Sequence, residues 1–161
     1  KGKLDGVVIT GGEPCLQKDL IDFIKQIKDM EFLVKLDTNG TFPSVLKDVL
    51  PLVDYIAMDI KAPLYKYRDI TQVNIDTEKI KESINIIMNS GIDYEFRTTV
   101  DKKDFISIGK LIKGAKKYYL QKFIPSKTLD KRLMSEKTYS DKEFSDIVDI
   151  LSLYVKDVAF R

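Results

Sequence analysis

Gly11-Gly12-Glu13-Pro14 follows directly on a β-branched run, Val7-Val8-Ile9-Thr10. Two glycines strip the backbone of side chains where it must come close to another body, and the carboxylate beside them can accept from an ammonium. Asp37, Asp59 and Arg97 stand at the polar ends of later apolar runs, with Lys61 two residues beyond Asp59. The steps from Glu13 to Asp37, Asp37 to Asp59 and Arg97 to Gln121 are 24, 22 and 24 residues. Charges of both signs recurring at one step suit a polar, zwitterionic ligand. The chain has no histidine and one cysteine, Cys15. It therefore lacks the commonest general base and cannot build an internal disulfide or a multi-cysteine metal site. Chemistry must draw on carboxylates, lysines, arginine, tyrosines, the thiol or a borrowed cofactor. Cys15 reads as an incidental small thiol at a helix start, a position that lowers a thiol pKa.

Such groups need strands that end together. "DGVVIT", "EFLVKL", "DYIAMDI", "DYEFRTTV", "KYYLQKFI" and the closing "VKDVAFR" read as short strands. Between them lie helical patterns. Leu16, Leu20, Phe23, Ile24 and Ile27 share one face of the first, and "SVLKDVLPLV" gives a second that ends near Pro51. Ile80, Ile84, Ile87 and Met88 line a third, with Gly91 as its C-terminal cap. Ile108, Leu111, Ile112 and Ala115 line a fourth, and Ser140 with Glu143 at capping-box spacing opens a fifth.

This alternation predicts an α/β domain with a parallel sheet. The strand-end step matches (β/α) units, of which a full barrel takes about 250 residues. The expected architecture is a partial TIM-like barrel of about five to six parallel strands, with the N-terminal βα unit missing and residues 1–161 forming a single domain. The long step before Arg97 holds an extra loop, "PLYKYRDITQVNID".

Alternation along three strands sorts their side chains. Val34, Leu36, Ile56, Met58, Ile60, Tyr94, Phe96 and Thr98 take one face; Lys35, Asp37, Ala57, Asp59, Lys61, Glu95, Arg97 and Thr99 take the other. Buried parallel strands normally read as continuous apolar runs, and burying ions without partners costs several kcal/mol each. The charged face therefore predicts a water- or ligand-filled lumen, with the ligand at the C-terminal strand ends.

With 27 basic and 25 acidic residues the net charge is +2, which gives no uniform footprint for nucleic acid or an anionic membrane. No apolar run approaches the roughly 18 residues of a membrane span. The opening "KGKLDG" runs straight into a strand, and the expectation is that there is no signal peptide. The Lys- and Ile-rich, cysteine-poor composition reads as cytoplasmic.

"GVVITGGEP", "VKLDTNG", "YIAMDIKAP", "YEFRTTV" and "YYLQKFIPSKTLD" together resemble the radical S-adenosylmethionine superfamily. The likeness is strongest to glycyl-radical-enzyme activases of the anaerobic ribonucleoside-triphosphate reductase and pyruvate formate-lyase types. It implies that Gly11, Gly12, Glu13 and Pro14 bind the methionine amino group of S-adenosylmethionine, through backbone carbonyl and Glu13. It implies that Asp37, Thr38 and Asn39 line the ribose and carboxylate side, that Lys61 meets the methionine carboxylate, and that Arg97 contacts the ligand or nearby acids. It further implies a monovalent cation at Asp37, Thr38, Ala57 (through its carbonyl) and Asp59. The activity implied is a 5′-deoxyadenosyl radical that takes hydrogen from a glycine of a glycyl radical enzyme. A [4Fe–4S] cluster and a flavodoxin- or ferredoxin-like electron donor belong to that chemistry.

The departure is the cluster motif. Members carry CxxxCxxC after the first strand, and this chain has none. A family histidine is also missing around "QKFIPSK". The expectation is a part of a longer parent that retains most of the S-adenosylmethionine pocket but is inactive alone. Two other readings stand beside it. One is a barrel lyase with Lys61 or Lys35 as a Schiff-base nucleophile. The other is a partner-docking domain using "LYKYRDITQVNID" and "QKFIPSKTLDKRLM".

Overall fold

A computed structural model describes residues 2–100, 105–122 and 139–161. Its six strands among the described residues are β1 (Gly6–Ile9), β2 (Leu33–Thr38), β3 (Tyr55–Asp59), β4 (Asp93–Val100), β5 (Lys117–Lys122) and β6 (Asp157–Phe160). They follow one another in chain order through one sheet, with β1–β2, β2–β3 and β5–β6 paired in parallel. The open parallel α/β sheet is the expected fold class. No helix among the described residues is long and apolar enough to cross a membrane.

The chain forms two compact units, Lys1–Phe96 and Arg97–Arg161, divided within β4. In the first, α1 (Leu20–Asp29), α2 (Pro43–Val49), α3 (Tyr67–Thr71) and α4 (Thr77–Met88) connect the strands. Their stripes bury Leu20, Ile24, Ile27, Leu46, Ile80, Ile84 and Ile87, and the apolar strand face buries Val34, Leu36, Ile56, Met58 and Phe96. At about 1.5–3 kcal/mol per large apolar side chain, this packing is the main force holding the strand ends in register. The register sets Lys35 opposite Tyr55 and Asp37 opposite Ala57. The stretch expected as an extra loop contains α3, which seats Tyr67 in the core.

Two members of the expected first stripe fall outside the core. Glu13 caps a 3-10 turn at Pro14–Leu16, so α1 starts only at Leu20. Leu16 is 60% exposed as a result, and Phe23, one position off the Leu20–Ile24–Ile27 stripe, is 49% exposed. Both help to line an open surface cavity of about 530 Å³ beside Pro14 and Leu20.

The second unit has α5 (Phe105–Leu111) and α6 (Asp141–Leu151), and its core buries Ile108, Ile112, Phe144 and Leu151. Phe144 stacks on Phe160 at 5.1 Å between centroids. Ser140 and Glu143 form both halves of the capping box. The expected strand residues Phe123 and Ile124, and most of the proposed docking stretch "QKFIPSKTLDKRLM", lie outside the described residues.

Candidate ligand site at the strand ends of the first unit

Glu13 joins two turns. Its Oε1 accepts from Cys15 N at 3.1 Å and from Thr38 Oγ1 at 2.8 Å, and its Oε2 accepts from Asn39 N at 2.6 Å. Thr38 Oγ1 in turn accepts from Gly40 N at 3.1 Å. The carboxylate is 7% exposed and is the post that ties the turn after β1 to the turn after β2. Charge-assisted bonds of this kind are about twice as strong as neutral ones. Cys15 is buried against this carboxylate, and burial followed by the charge of Glu13 pushes its thiol up to about 12. The lowered pKa expected from its place at a helix start is therefore corrected: desolvation and an adjacent acid outweigh a single short turn.

The glycines ahead of Glu13 face open space. Gly11 has φ +140°, and a Cβ built at Gly11 or Gly12 would meet nothing within 4 Å. Their backbone is accessible to a ligand. The second turn is closed differently: Gly40 has φ +76°, its carbonyl accepts from buried Ser83 Oγ at 2.7 Å, and a Cβ there would run into Met58. Asn39 Oδ1 accepts from Thr41 N and from Thr41 Oγ1, completing an Asx turn.

The charged strand face in this unit carries ion pairs of two lysines with three carboxylates. Lys35 Nζ stands 3.7 Å from Asp37 Oδ1 and 3.5 Å from Glu95 Oε1. The same ammonium lies 5.4 Å from the centroid of the Tyr55 ring, and Tyr55 donates its hydroxyl to Glu95 Oε2 at 3.0 Å. Side-chain exposures of 28% for Lys35, 16% for Asp37 and 5% for Glu95 place the group beneath the strand ends. One layer further on, Lys61 donates to Asp59 Oδ2 at 2.8 Å, and Lys61 N donates to the Tyr67 hydroxyl at 3.1 Å. Burial pushes that phenol up to about 12. Ala57, level with Asp37, has an apolar side chain and could offer a cation only its carbonyl.

The structure thus brings Gly11, Gly12, Glu13, Pro14, Asp37, Thr38, Asn39, Ala57, Asp59 and Lys61 into one unit, at the turn after β1 and along β2 and β3 with the residues that follow them. Arg97 is half-buried on β4 and belongs to the second unit. Tyr55, Glu95, Tyr67 and Ser83 act in or around the site without having been singled out as site residues. For Glu95 the signal was present, since it alternates onto the face of Asp37.

These residues fit S-adenosylmethionine in kind: open glycine backbone offers acceptors for an ammonium, and Lys61 offers a cation for a carboxylate. They do not fit a [4Fe–4S] cluster, because the only thiol is buried and held protonated.

Residues 1–109 match the family model of the Radical SAM superfamily. A protein of Methanocaldococcus jannaschii, provisionally named a glycyl-radical enzyme activating enzyme, is 32% identical over 98% of this chain and 70% of its own length. The 7-carboxy-7-deazaguanine synthase of Thermococcus kodakarensis is 41% identical, over 37% of this chain and 24% of its own length. The fold matches a crystal structure of a domain of pyruvate-formate lyase-activating enzyme from Bacteroides vulgatus. That match has a TM-score of 0.71 and 19% identity, covering 97% of this chain and 98% of that one.

Proposed function

The chain belongs to the Radical SAM superfamily, and from that membership we propose that its first unit holds S-adenosylmethionine at the C-terminal ends of β1–β3, for an enzyme that activates a glycyl radical enzyme. The observation that carries the binding reading is the Glu13 post, which fixes two bare glycines open to solvent beside the turn after β2. In this reading the carbonyls around Gly11 and Gly12 accept from the ligand's ammonium. Glu13 positions them rather than reaching the ligand itself, Pro14 starts the 3-10 turn that buries it, and Asn39 borders the ribose side. Lys61 keeps Asp59 and meets the ligand's carboxylate with its remaining donors, and Arg97 remains a candidate contact from β4.

S-adenosylmethionine supplies the radical chemistry when bound; the chain supplies orientation and shielding. Three thiolates for a cluster would have to come from outside these 161 residues, so the chain alone is inactive in the radical step, and a flavodoxin- or ferredoxin-like donor belongs to the intact enzyme. The activase assignment rests on the M. jannaschii relative, whose likeness runs the length of the chain. The deazaguanine synthase shares a shorter stretch. Ion-paired ammonium groups on Lys35 and Lys61 are poor nucleophiles, which disfavours a Schiff-base lyase.

Calorimetric titration of S-adenosylmethionine tests this. Binding should weaken about tenfold or more in Lys61→Ala, the order expected when a charge-assisted contact is lost. No heat from the unmodified protein would end the proposal.

A further inference from the structure

Resting on the ligand reading above, we propose that Lys35 is a tethered counter-ion: its ammonium, shared by Asp37 and Glu95, does in this protein what a free monovalent cation would otherwise do. The resemblance carried such a cation to Asp37, Thr38, Ala57 (through its carbonyl) and Asp59, and the side chains present do not converge on one. Thr38 and Asp37 are successive residues of β2, so their side chains take opposite faces. The Thr38 hydroxyl is engaged with Glu13 and Gly40 N. Asp59 has the Lys61 ammonium at 2.8 Å. Asp37 instead shares Lys35 with a second carboxylate from β4, at 3.7 and 3.5 Å. No group of three or more His, Cys, Asp or Glu side chains able to hold a metal ion occurs among the described residues.

The placement is built rather than incidental. Lys35 comes from the middle of β2, where strand geometry fixes its Cα opposite Tyr55. The Tyr55 ring lies beneath the ammonium, and its hydroxyl fixes the far oxygen of Glu95. An aromatic face attracts a cation. Glu95 is nearly fully buried, and a buried carboxylate without compensation is costly. Two carboxylates directed at one point require a positive charge between them, and a covalently attached one cannot be washed out or exchanged. The ligand site should therefore work at the same affinity whatever alkali cation is in the buffer, and removing the ammonium should open a cation site where none was used.

The test compares the unmodified protein, Lys35→Met and Lys35→Arg in sodium, potassium and tetramethylammonium chloride at equal ionic strength, by thermal unfolding, ²³Na line width and S-adenosylmethionine titration. The unmodified protein and Lys35→Arg should show the same midpoint in all three salts, no selective ²³Na broadening and ligand affinities within about twofold. Lys35→Met should gain about 3 °C or more in sodium over tetramethylammonium, the size expected for an ion that binds only the folded state, together with ²³Na broadening. Selective stabilisation of the unmodified protein by sodium or potassium would overturn the proposal, as would a folded Lys35→Met that ignores sodium. Should Lys35→Met fail to fold, the salt series on the unmodified protein and Lys35→Arg still decides. Absence of S-adenosylmethionine binding would count against the ligand reading alone, since the thermal and ²³Na readouts need no ligand.

Discussion

Glu13 shows how a motif residue can be placed correctly by sequence while its orientation stays hidden. The run into Gly-Gly-Glu-Pro marks a strand ending in a close-approach turn, and that much follows from residue types. That the carboxylate turns inward depends on Thr38 and Asn39, 25 and 26 positions away, whose donors no local pattern announces. Glu13→Gln tests the orientation. Its amide NH₂ would face at least one of the N–H and O–H donors now satisfied, leaving a buried donor without an acceptor at about 1–3 kcal/mol. A drop of that size in denaturant-derived stability, with weaker ligand binding, is expected; unchanged stability would mean that the carboxylate does not bridge the turns. Cys15 gives a second readout. Its thiol is raised from 9.0 to about 12 on folding, so the folded state prefers the protonated form. The stabilisation is complete below the unfolded value near 9 and is lost as pH rises from there towards 12. Cys15→Ser, with a higher hydroxyl pKa, should flatten the fall in stability over that window. In the native protein at pH 8, alkylation of Cys15 should be slow and should accelerate on unfolding.

At the scale of elements, legibility followed periodicity. A period of two with β-branched residues leaves few alternatives, so five strands fell within the runs read from sequence, β4 end to end at Asp93–Val100, while β2 ran past its run to Asp37 and Thr38. The charged face was legible for the same reason. The pairing upon it was not, since which lysine meets which carboxylate is set by register between strands. The first helix was misjudged at Leu16 because a proline-started 3-10 turn breaks the helical phase, which a hydrophobic stripe does not reveal, and at Phe23 because it lies beside the buried stripe of α1. The turn after β2 offers the sharpest element-level test. Gly40 holds φ +76° over the Met58 side chain, with Ser83 of α4 clasping its carbonyl. Gly40→Ala combines a left-handed backbone with a collision and should cost ~1–3 kcal/mol. Ser83→Ala should cost about 1–3 kcal/mol by leaving that carbonyl unpaired in a buried place. Since the same turn carries Asn39, both variants should weaken ligand binding beyond what a core variant of equal instability, such as Ile80→Val, does. Equal losses of affinity at matched stability would detach this turn from the site.

Over the whole molecule, the division at Phe96 and Arg97 separates two jobs. Apart from Arg97, the candidate ligand residues sit in the first unit, which has its own core of strand and helix stripes. The second has an aromatic core around Phe144, with Tyr139 and Phe160 as ring neighbours and its own capped helix. Units with separate cores open separately in hydrogen exchange, each with its own free energy. A ligand that binds only the closed form of one unit raises the opening free energy of that unit by mass action, by about 2.7 kcal/mol at a hundredfold excess over Kd. Saturating S-adenosylmethionine should therefore slow exchange of the slowest amides in β1, β2 and β3 by about a hundredfold, 2.7 kcal/mol being close to two factors of ten. Amides in α6 and β6 should change little. Equal slowing in Asp141–Leu151 and Asp157–Phe160 would show that the two units open as one. Slowing confined to the second unit would move the ligand away from Gly11 and Gly12 altogether.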